Sequence, residues 1–369
     1  MSSRHTSLVT SVIVVSLALV ACSGAGTSLL SRPTTTATST TLPPATTTMV
    51  VVTTTTTSPP TTTTTETPVI PVAQFTGEER TQSITRPAFL VKIDNHERGR
   101  PQWGINQADV VFEELVEANM TRFAAIFHSR NVTDIGPVRS ARTGDFELLS
   151  NLNTPLFGNS GGNPTVMRLL DDVDMVLVGD TNVGRAAYRR SDEKDAPYNL
   201  LTGTGEIYAA ADGRGGTPPQ MFSYRSKGDP LPPSAQPIVG VDIDYGGHQI
   251  TYRWDDVLQG WARTQEDTDH VDHDGVQVAP ENVIVQFVKY GQSVAYAGSP
   301  EVKIVGRGEA WVLTKGHLIA ATWNRPTSTD IAEFRDVDGA TVQLTPGRTW
   351  VALPRSETAL VVETSEEQP

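Results

Sequence analysis

The sequence predicts an α+β protein, in which an N-terminal α/β layer domain is followed by an all-β domain with a barrel or sandwich-like arrangement. Three observations support this prediction. Apolar runs rich in Val, Ile and Phe alternate with helix-compatible segments over residues 74–211. From residue 238 onwards, short apolar runs follow one another and are divided by turn signals. A stretch rich in Gly, Pro and Ser at residues 212–237 separates the two patterns and is the predicted linker.

Residues 1–21 are a predicted lipoprotein signal peptide. Arg4 precedes the apolar run of residues 12–20, which is too short to be a good membrane span. Leu19-Val20-Ala21-Cys22 has the lipobox arrangement, which predicts cleavage before Cys22 and lipidation of its thiol. An ordinary signal or anchor with an incidental cysteine is the alternative. Because Cys22 is the single cysteine, no internal disulfide can form. We therefore expect an extracytoplasmic protein, anchored by lipid to the bacterial cell membrane.

Residues 22–73 are predicted to form a disordered tether. Between Pro33 and Thr67, 20 of 35 residues are threonine, with almost no charge. Such a segment cannot bury enough apolar surface to offset the entropy lost on ordering. Its roughly fifty residues reach at most about 150 Å when extended, which suits a domain held out through a cell wall. Threonine-rich stalks of this kind are also candidates for O-glycosylation.

The two globular domains are expected at residues 74–211 and 238–356, with an acidic tail at 357–369. In the first domain, strands are predicted at residues 88–93, 109–115, 123–127, 155–158 and 173–178, and helices at 141–152 and 165–170. In the second, strands are predicted at residues 250–254, 260–263, 283–288, 302–305, 310–314, 318–323, 341–344 and 349–353. Lys315-Gly316 and Asp338-Gly339 are predicted hairpin turns.

The charge of the chain bears on its partners. A formal net charge of -13 argues against nucleic acid and against anionic lipid, because both require a basic face. It remains compatible with a local basic pocket for a small anion. No cofactor and no metal are predicted.

Residues 86–142 concentrate charge at the ends of apolar runs, with seven arginines, one lysine and seven carboxylates. Arginine binds carboxylate or phosphate through a planar, bidentate fork, so this stretch is a candidate anion site. The candidate ligand-binding residues are Arg100, Arg122, Arg139, Ser140, Arg142, Ser160 and Gly161. The alternative is a structural network, in which the arginines pair with Asp94, Asp109, Glu113 and Glu117.

Carboxylates in the same stretch are candidate catalytic residues. On a strand, Glu113 and Glu117 would share one face with Leu115. Such a pair can divide acid and base roles, as in glycoside hydrolysis, and with Asp94 it could ligate a hard cation. The alternative is a pair of solvent-exposed strand residues.

Ser140 suggests a nucleophile, with His128 and Asp134 upstream, but no glycine elbow surrounds it, and capping of the helix at residues 141–152 is the competing role. The loop beginning at Ser160-Gly161 could cradle an anion with its backbone amides, or be a plain strand-to-helix turn.

Two features of the second half have structural alternatives. Residues 270–281 nearly match a calcium loop, but His270 replaces the first aspartate, and Asp274-Gly275 fits a hairpin turn. Tryptophans could stack on sugar rings or pack in the core; they are Trp254, Trp261, Trp311, Trp323 and Trp350.

Several motifs of the chain resemble those of the YerB-like bacterial lipoproteins. In the first half these are Arg86-Pro87, Ile93-Asp94-Asn95, Arg100-Pro101-Gln102, residues 108–113, Thr121-Arg122-Phe123 and Gly136-Pro137-Val138-Arg139-Ser140-Ala141-Arg142. In the second half they are residues 252–254, 261–263, 282–285, 305–308, 321–323 and 346–350. Tyr198 departs from the pattern, where a histidine is expected. The resemblance covers most of residues 86–354, and implies a lipoprotein with paired domains and no settled activity.

Three functional hypotheses follow. The leading one is a non-catalytic, lipid-anchored envelope protein that binds an anionic cell-wall component through the arginines of its first domain. The second is an envelope hydrolase or transferase that acts on glycan or phosphate esters, with Glu113 or Glu117 as the base. The third is a scaffold whose β-domain binds another envelope protein.

Overall fold

The computed structural model describes residues 70–363. The predicted signal peptide, Cys22 and the tether up to residue 69 lie outside the described residues, as do residues 364–369 of the predicted acidic tail. All described residues belong to one compact unit. Within residues 70–363, no helix is long and apolar enough to cross a membrane.

Strands dominate the described residues. The first part of the chain forms β1 (Phe89–Asp94), β2 (Val110–Leu115), β3 (Thr121–Phe127), β4 (Leu156–Gly158), β5 (Val176–Leu177), β6 (Tyr188–Arg190), β7 (Leu200–Thr202) and β8 (Ser223–Tyr224). The second part forms β9 (Gln236–Pro237), β10 (Gly240–Asp244), β11 (Gln249–Asp255), β12 (Gly260–Gln265), β13 (Thr268–Asp269), β14 (Asn282–Gln286), β15 (Lys289–Gln292), β16 (Pro300–Lys303), β17 (Gly306–Thr314), β18 (His317–Arg325), β19 (Glu333–Asp336), β20 (Gln343–Leu344), β21 (Thr349–Ala352) and β22 (Ala359–Val362).

The helices are short. The α-helices are α1 (Asp145–Leu149), α2 (Pro164–Leu169), α3 (Asp180–Val183) and α4 (Thr204–Ala211). Single 3-10 turns lie at Glu97–Gly99, Ile105–Gln107, Glu117–Asn119, Leu170–Asp172 and Gly184–Ala186.

One 11-stranded sheet passes through both halves of the sequence. Its order is β19-β18-β17-β14-β21-β2-β3-β1-β4-β5, and β9 pairs with β18. The halves meet where β21 pairs in parallel with β2, with Val110 opposite Thr349 and Glu113 opposite Ala352. The C-terminal part of the chain therefore completes the sheet that the N-terminal part begins.

Each face of this sheet packs against a different layer, because successive side chains of a strand point to opposite faces. On one face, Ile93 and Phe123 pack in a core with Tyr252 and Trp261 of a second sheet, ordered β13-β12-β11-β10-β22. On the other face, the buried side chains include Leu90, Ala124 and Ile126, which share a core with residues of α1 and α2.

The fold is mostly sheet with few helices, and the α/β layer expected for the first domain is not confirmed. The α-helices have four to eight residues, which is too short to cover the faces of so wide a sheet. The helix predicted over residues 141–152 is wrong in extent, since α1 begins only at Asp145. Its N-cap residue is Gly144, so the predicted capping role of Ser140 is also wrong.

Most predicted strands are confirmed within a few residues. Lys315 and Gly316 form the turn between β17 and β18, with φ values of 47° and 70°. The predicted linker, residues 212–237, contains β8 and β9, which pair with β20 and β18, and Met221 and Phe222 within it are buried. The positions of the domain boundaries remain a prediction.

Candidate functional site

The arginines predicted to bind a ligand meet where β1 ends beside β3. Asp94, the last residue of β1, lies opposite Arg122 in the antiparallel register. The segment carrying Arg139 runs along the same edge, because its backbone N–H donates to the Lys92 carbonyl at 2.9 Å and Pro137 accepts from Asp94 N at 3.0 Å. We call Asp94, Glu117, Arg122, Arg139 and Arg142 the arginine site. The three arginines come together on extended segments of the chain. They do not share a helix face.

Two of the three arginines have carboxylate partners. Arg139 Nε lies 3.2 Å from Asp94 Oδ2. Arg142 binds Glu117 bidentately, with Nε and Nη2 each 2.8 Å from a carboxylate oxygen. Burial alone would raise the pKa of Glu117, but the hydrogen bonds and charge of Arg142 lower it to about 2. These two pairs agree with the alternative stated from the sequence, in which the arginines pair with nearby carboxylates in a structural network.

Arg122 differs from the other two arginines. It is 7% exposed, and among residues 70–363 its guanidinium makes no ion pair and one hydrogen bond, from Nη1 to the Ser140 carbonyl at 3.3 Å. Burial lowers its pKa to about 10, assisted by the charges of Arg142 and Arg139, which outweigh those of Asp94 and Glu117. The arginine site thus holds three cations and two anions, and the unpaired cation is buried.

A buried triad of Lys92, Glu114 and Asp145 lies beside the arginine site. Lys92 Nζ is 2.9 Å from Asp145 Oδ1 and also pairs with Glu114. Burial would lower the pKa of Lys92, but the two carboxylates raise it overall; burial raises the pKa of Glu114. Asp145 Oδ2 accepts from the Arg142 backbone N–H at 2.7 Å. The triad therefore fixes the backbone from which Arg142 projects.

Glu113 does not belong to the arginine site, because it projects from the opposite face of β2. Its Oε1 accepts from Arg263 Nη2 at 2.8 Å and from Thr121 Oγ1 at 2.9 Å, and its Oε2 accepts from Trp350 Nε1 at 3.0 Å. Glu113 and Arg263 are both fully buried. Since β2 ends at Leu115, Glu117 lies in a 3-10 turn beyond the strand. The expectation that Glu113 and Glu117 share a face is wrong.

The Glu113 pair extends into a polar network that reaches the arginine site. Arg263 Nη1 lies 2.7 Å from His270 Nδ1, and His270 Nε2 lies 2.8 Å from Gln102 Oε1. Burial holds the pKa of His270 well below its usual value, so the ring is neutral, accepts at Nδ1 and donates at Nε2. Gln102 Nε2 then donates to the Asp94 carbonyl at 2.9 Å. We call this chain, from Glu113 to Gln102, the buried network.

The loop at Ser160 and Gly161 supports the arginine segment. Ser160 N donates to the Arg139 carbonyl at 3.0 Å, and Ala141 N donates to the Gly161 carbonyl at 2.9 Å. Gly161 N donates to Asn159 Oδ1 at 2.9 Å. The amides of Ser160 and Gly161 are therefore engaged within the protein and are not free to cradle an anion. The loop is the strand-to-helix turn between β4 and α2.

The remaining candidates lie apart from the arginine site. Arg100 pairs with Glu266 at 3.3 Å, next to a cavity of about 120 Å³. Asp109, one of the expected partners of the arginines, instead accepts hydrogen bonds from the backbone N–H groups of His128 and Ser129, both at 2.7 Å.

The Ser140 nucleophile and the calcium loop are not formed. His128 Nε2 contacts the Arg86 carbonyl at 2.9 Å, and Asp134 pairs with Arg189, so neither serves Ser140. Gly275 N donates to the Asp272 carbonyl at 2.9 Å in a tight turn, as the hairpin alternative predicted. Within residues 70–363, no three His, Cys, Asp or Glu side chains are arranged to hold a metal ion.

Comparison with known proteins identifies the family. Residues 75–217 match the family described as "Protein of unknown function (DUF3048) N-terminal domain", and residues 241–351 match its C-terminal domain. The chain belongs to the DUF3048 family. It is 28% identical over 292 residues to "Putative lipoprotein YerB" of Bacillus subtilis (strain 168), covering 76% of this chain and 85% of the relative. The crystal structure of the YerB protein from Bacillus subtilis has the same fold, with a TM-score of 0.70 at 23% identity, covering 79% of this chain and 99% of that one.

The arginine site lies wholly within the DUF3048 N-terminal match. The buried network joins the two matches, because Glu113 and Gln102 belong to the first and Arg263, His270 and Trp350 to the second. Clefts of about 320, 520 and 660 Å³ are lined by residues that belong neither to the arginine site nor to the buried network.

Sequence reasoning missed the buried triad and the buried network. Lys92 and Glu114 gave a usable signal, since each is a charged residue inside an apolar strand and must find a partner if that strand is buried. The residues that pair with Glu113 and Gln102 in the buried network gave no signal in the sequence, because they lie 150 residues or more further along the chain.

Proposed function

We propose that this DUF3048 protein is a non-catalytic, lipid-anchored envelope protein that binds an anionic cell-wall component at the arginine site. The observation that carries the proposal is Arg122, a buried guanidinium flanked by two further arginines and without a carboxylate partner in residues 70–363. A buried charge is costly unless it is paired, and a bound anion would supply the missing partner.

The hydrogen bonds within the site indicate which arginines hold the ligand. A guanidinium offers five N–H donors. Arg142 uses both edges, on Glu117 and on the Ala141 carbonyl, 3.0 Å from Nη1. Arg122 uses one donor, and Arg139 contacts Asp94 through Nε alone. We therefore assign a phosphate or carboxylate group to Arg122 and Arg139, while Arg142 shapes the site through its pair with Glu117.

The proposed location rests on the lipobox at Cys22 and on the relative named a lipoprotein. Lipid on Cys22 would make the membrane a partner through the anchor, and the threonine-rich stretch would hold the folded part away from the membrane. Nucleic acid is not expected as a partner, given the net charge of -13.

The hydrolase or transferase hypothesis loses its proposed base. Glu113 is fully buried in an ion pair on the face opposite the arginine site, and Glu117 is held ionised by Arg142. A general base works best with a pKa near the operating pH, whereas the pKa of Glu117 is lowered to about 2, which makes its carboxylate a weak base. No observation favours the scaffold hypothesis over ligand binding.

The proposal is tested by sedimenting the purified full-length protein with isolated bacterial cell walls. Arg122→Gln and Arg139→Gln should each weaken binding at least about tenfold, because a hydrogen bond to a charged group is worth about 1.5–3 kcal/mol. Arg335→Gln is the matched control, since Arg335 pairs with Glu333 at an exposed position, and it should bind like the wild type.

Two outcomes would contradict the proposal. One is wild-type protein that does not sediment with cell walls. The other is equal binding by Arg122→Gln, Arg139→Gln and Arg335→Gln, with folding of all three verified by circular dichroism.

A further inference from the structure

A cleft of about 660 Å³ opens at the start of β17, away from the arginine site. Its lining includes the Gly306-Arg307-Gly308 segment, the chain that follows β14 and the chain just before β22. Gly306 has a φ of +126°, a conformation that favours glycine. A Cβ on Gly308 would lie 2.7 Å from Trp323 Nε1. The backbone here is therefore suited to the close approach of the Trp323 indole.

Aromatic rings contribute to the wall of this cleft. Phe287 and Trp311 meet edge to face, with centroids 5.0 Å apart. Trp323 is held in place by a hydrogen bond from Nε1 to the Phe287 carbonyl at 3.0 Å. Trp311 is only partly buried, and its indole N–H donates to no acceptor among residues 70–363. Phe287 and Trp323 are themselves buried, so the aromatic surface that the cleft offers is the Trp311 ring with its indole N–H.

Charged side chains of both signs line the same cleft. Lys289, Arg307, Glu309 and Glu357 are exposed and make no ion pair or side-chain hydrogen bond within the described part of the chain. Lys303 is already paired with Glu301. The unengaged groups are two cations and two anions, so their charges cancel.

The exposed aromatic ring and the charge-balanced rim together indicate the class of ligand. An anion or a cation would gain little from a rim whose charges cancel, and an apolar chain would leave the rim groups without partners. A sugar ring has apolar C–H faces that pack on aromatic rings and hydroxyls that both donate and accept hydrogen bonds. We propose that this cleft binds a neutral oligosaccharide, with one pyranose ring packed on Trp311 and its hydroxyls bound by Arg307 and Glu309.

The test is calorimetric titration of the purified full-length protein with chitotetraose, cellotetraose, maltotetraose and mannotetraose. At least one should bind saturably. Trp311→Ala should weaken that binding at least about tenfold, and Arg307→Ala or Glu309→Ala about fivefold each, as expected for a hydrogen bond of about 1 kcal/mol. The control is Trp254→Ala, a partly buried tryptophan outside the cleft, which should bind normally.

Binding of none of the four sugars would overturn the proposal. So would sugar binding that is lost in Arg122→Gln but kept in Trp311→Ala, because the arginine site would then hold the sugar. If Trp311→Ala does not fold, the exposed substitutions Arg307→Ala and Glu309→Ala decide the question, and unchanged affinity in both overturns the proposal.

Discussion

Glu113→Gln tests whether this carboxylate is structural. Glu113 and Arg263 are both fully buried, 2.8 Å apart. Glutamine removes the charge and keeps one oxygen, which can still accept from Thr121 and Arg263, while its NH2 group replaces the oxygen that accepts from Trp350. Arg263 would then be a buried cation without a counter-ion. Breaking a buried pair in this way costs about 3–5 kcal/mol. At about 2 °C per kcal/mol for a large domain, the melting temperature should fall by about 6–10 °C.

The assay is urea and thermal unfolding of the wild type and of three variants. Glu333→Gln breaks an exposed pair with Arg335, at 3.0 Å, and should cost no more than about 1 kcal/mol. The double variant Glu113→Gln with Arg263→Met should recover much of the loss, because no unpaired charge remains. A loss below about 1 kcal/mol in Glu113→Gln would refute the structural role.

Three further predictions follow from burial and geometry. Because the pKa of Glu117 in the folded protein is about 2, its contribution to stability should be complete above about pH 4.5 and lost as the pH falls towards 2. An NMR titration of the Glu117 carboxyl group with a midpoint near pH 4.5 would contradict this prediction. Burial lowers the pKa of His128 to about 4, so stability should decline by about 3 kcal/mol as pH falls from 6.5 to 4, and His128→Gln should flatten that decline in urea unfolding. Gly308→Ala should destabilise the folded protein by about 1–3 kcal/mol in thermal unfolding, because the new Cβ would lie 2.7 Å from the Trp323 indole nitrogen. Gly205→Ala in α4 is the control. Its Cβ would meet nothing within 4 Å, so this change should be neutral or stabilising.

The strands were predictable from local sequence, but the faces of their charged residues were not. Apolar runs located β1, β2 and β3 within two residues, because a buried strand must be apolar over its length. A one-residue change of position reverses the face of a strand residue. Glu113 therefore points to the buried network and Glu114 to the triad, a distinction that depends on which layers cover the sheet.

Predictions that depended on distant packing failed for a physical reason. The helix expected at residues 141–152 is shortened because Arg139 and Ala141 bond instead to the chain at Lys92, Ser160 and Gly161. Charge density made Arg122, Arg139 and Arg142 candidates for one anion site, and their role in such a site remains a proposal. The sequence could not indicate which of the three arginines lacks a carboxylate partner, because that depends on side-chain geometry.

Titration of the purified protein with inorganic phosphate, followed through the NMR signals of its arginine guanidinium groups, tests the proposed anion site most directly. The signals of Arg122 and Arg139 should shift together and saturate at one phosphate per chain. Those of Arg335, in its exposed pair, should change little. Absence of a saturable shift at Arg122, or a shift no larger than that of Arg335, would contradict the assignment of the arginine site as an anion-binding site.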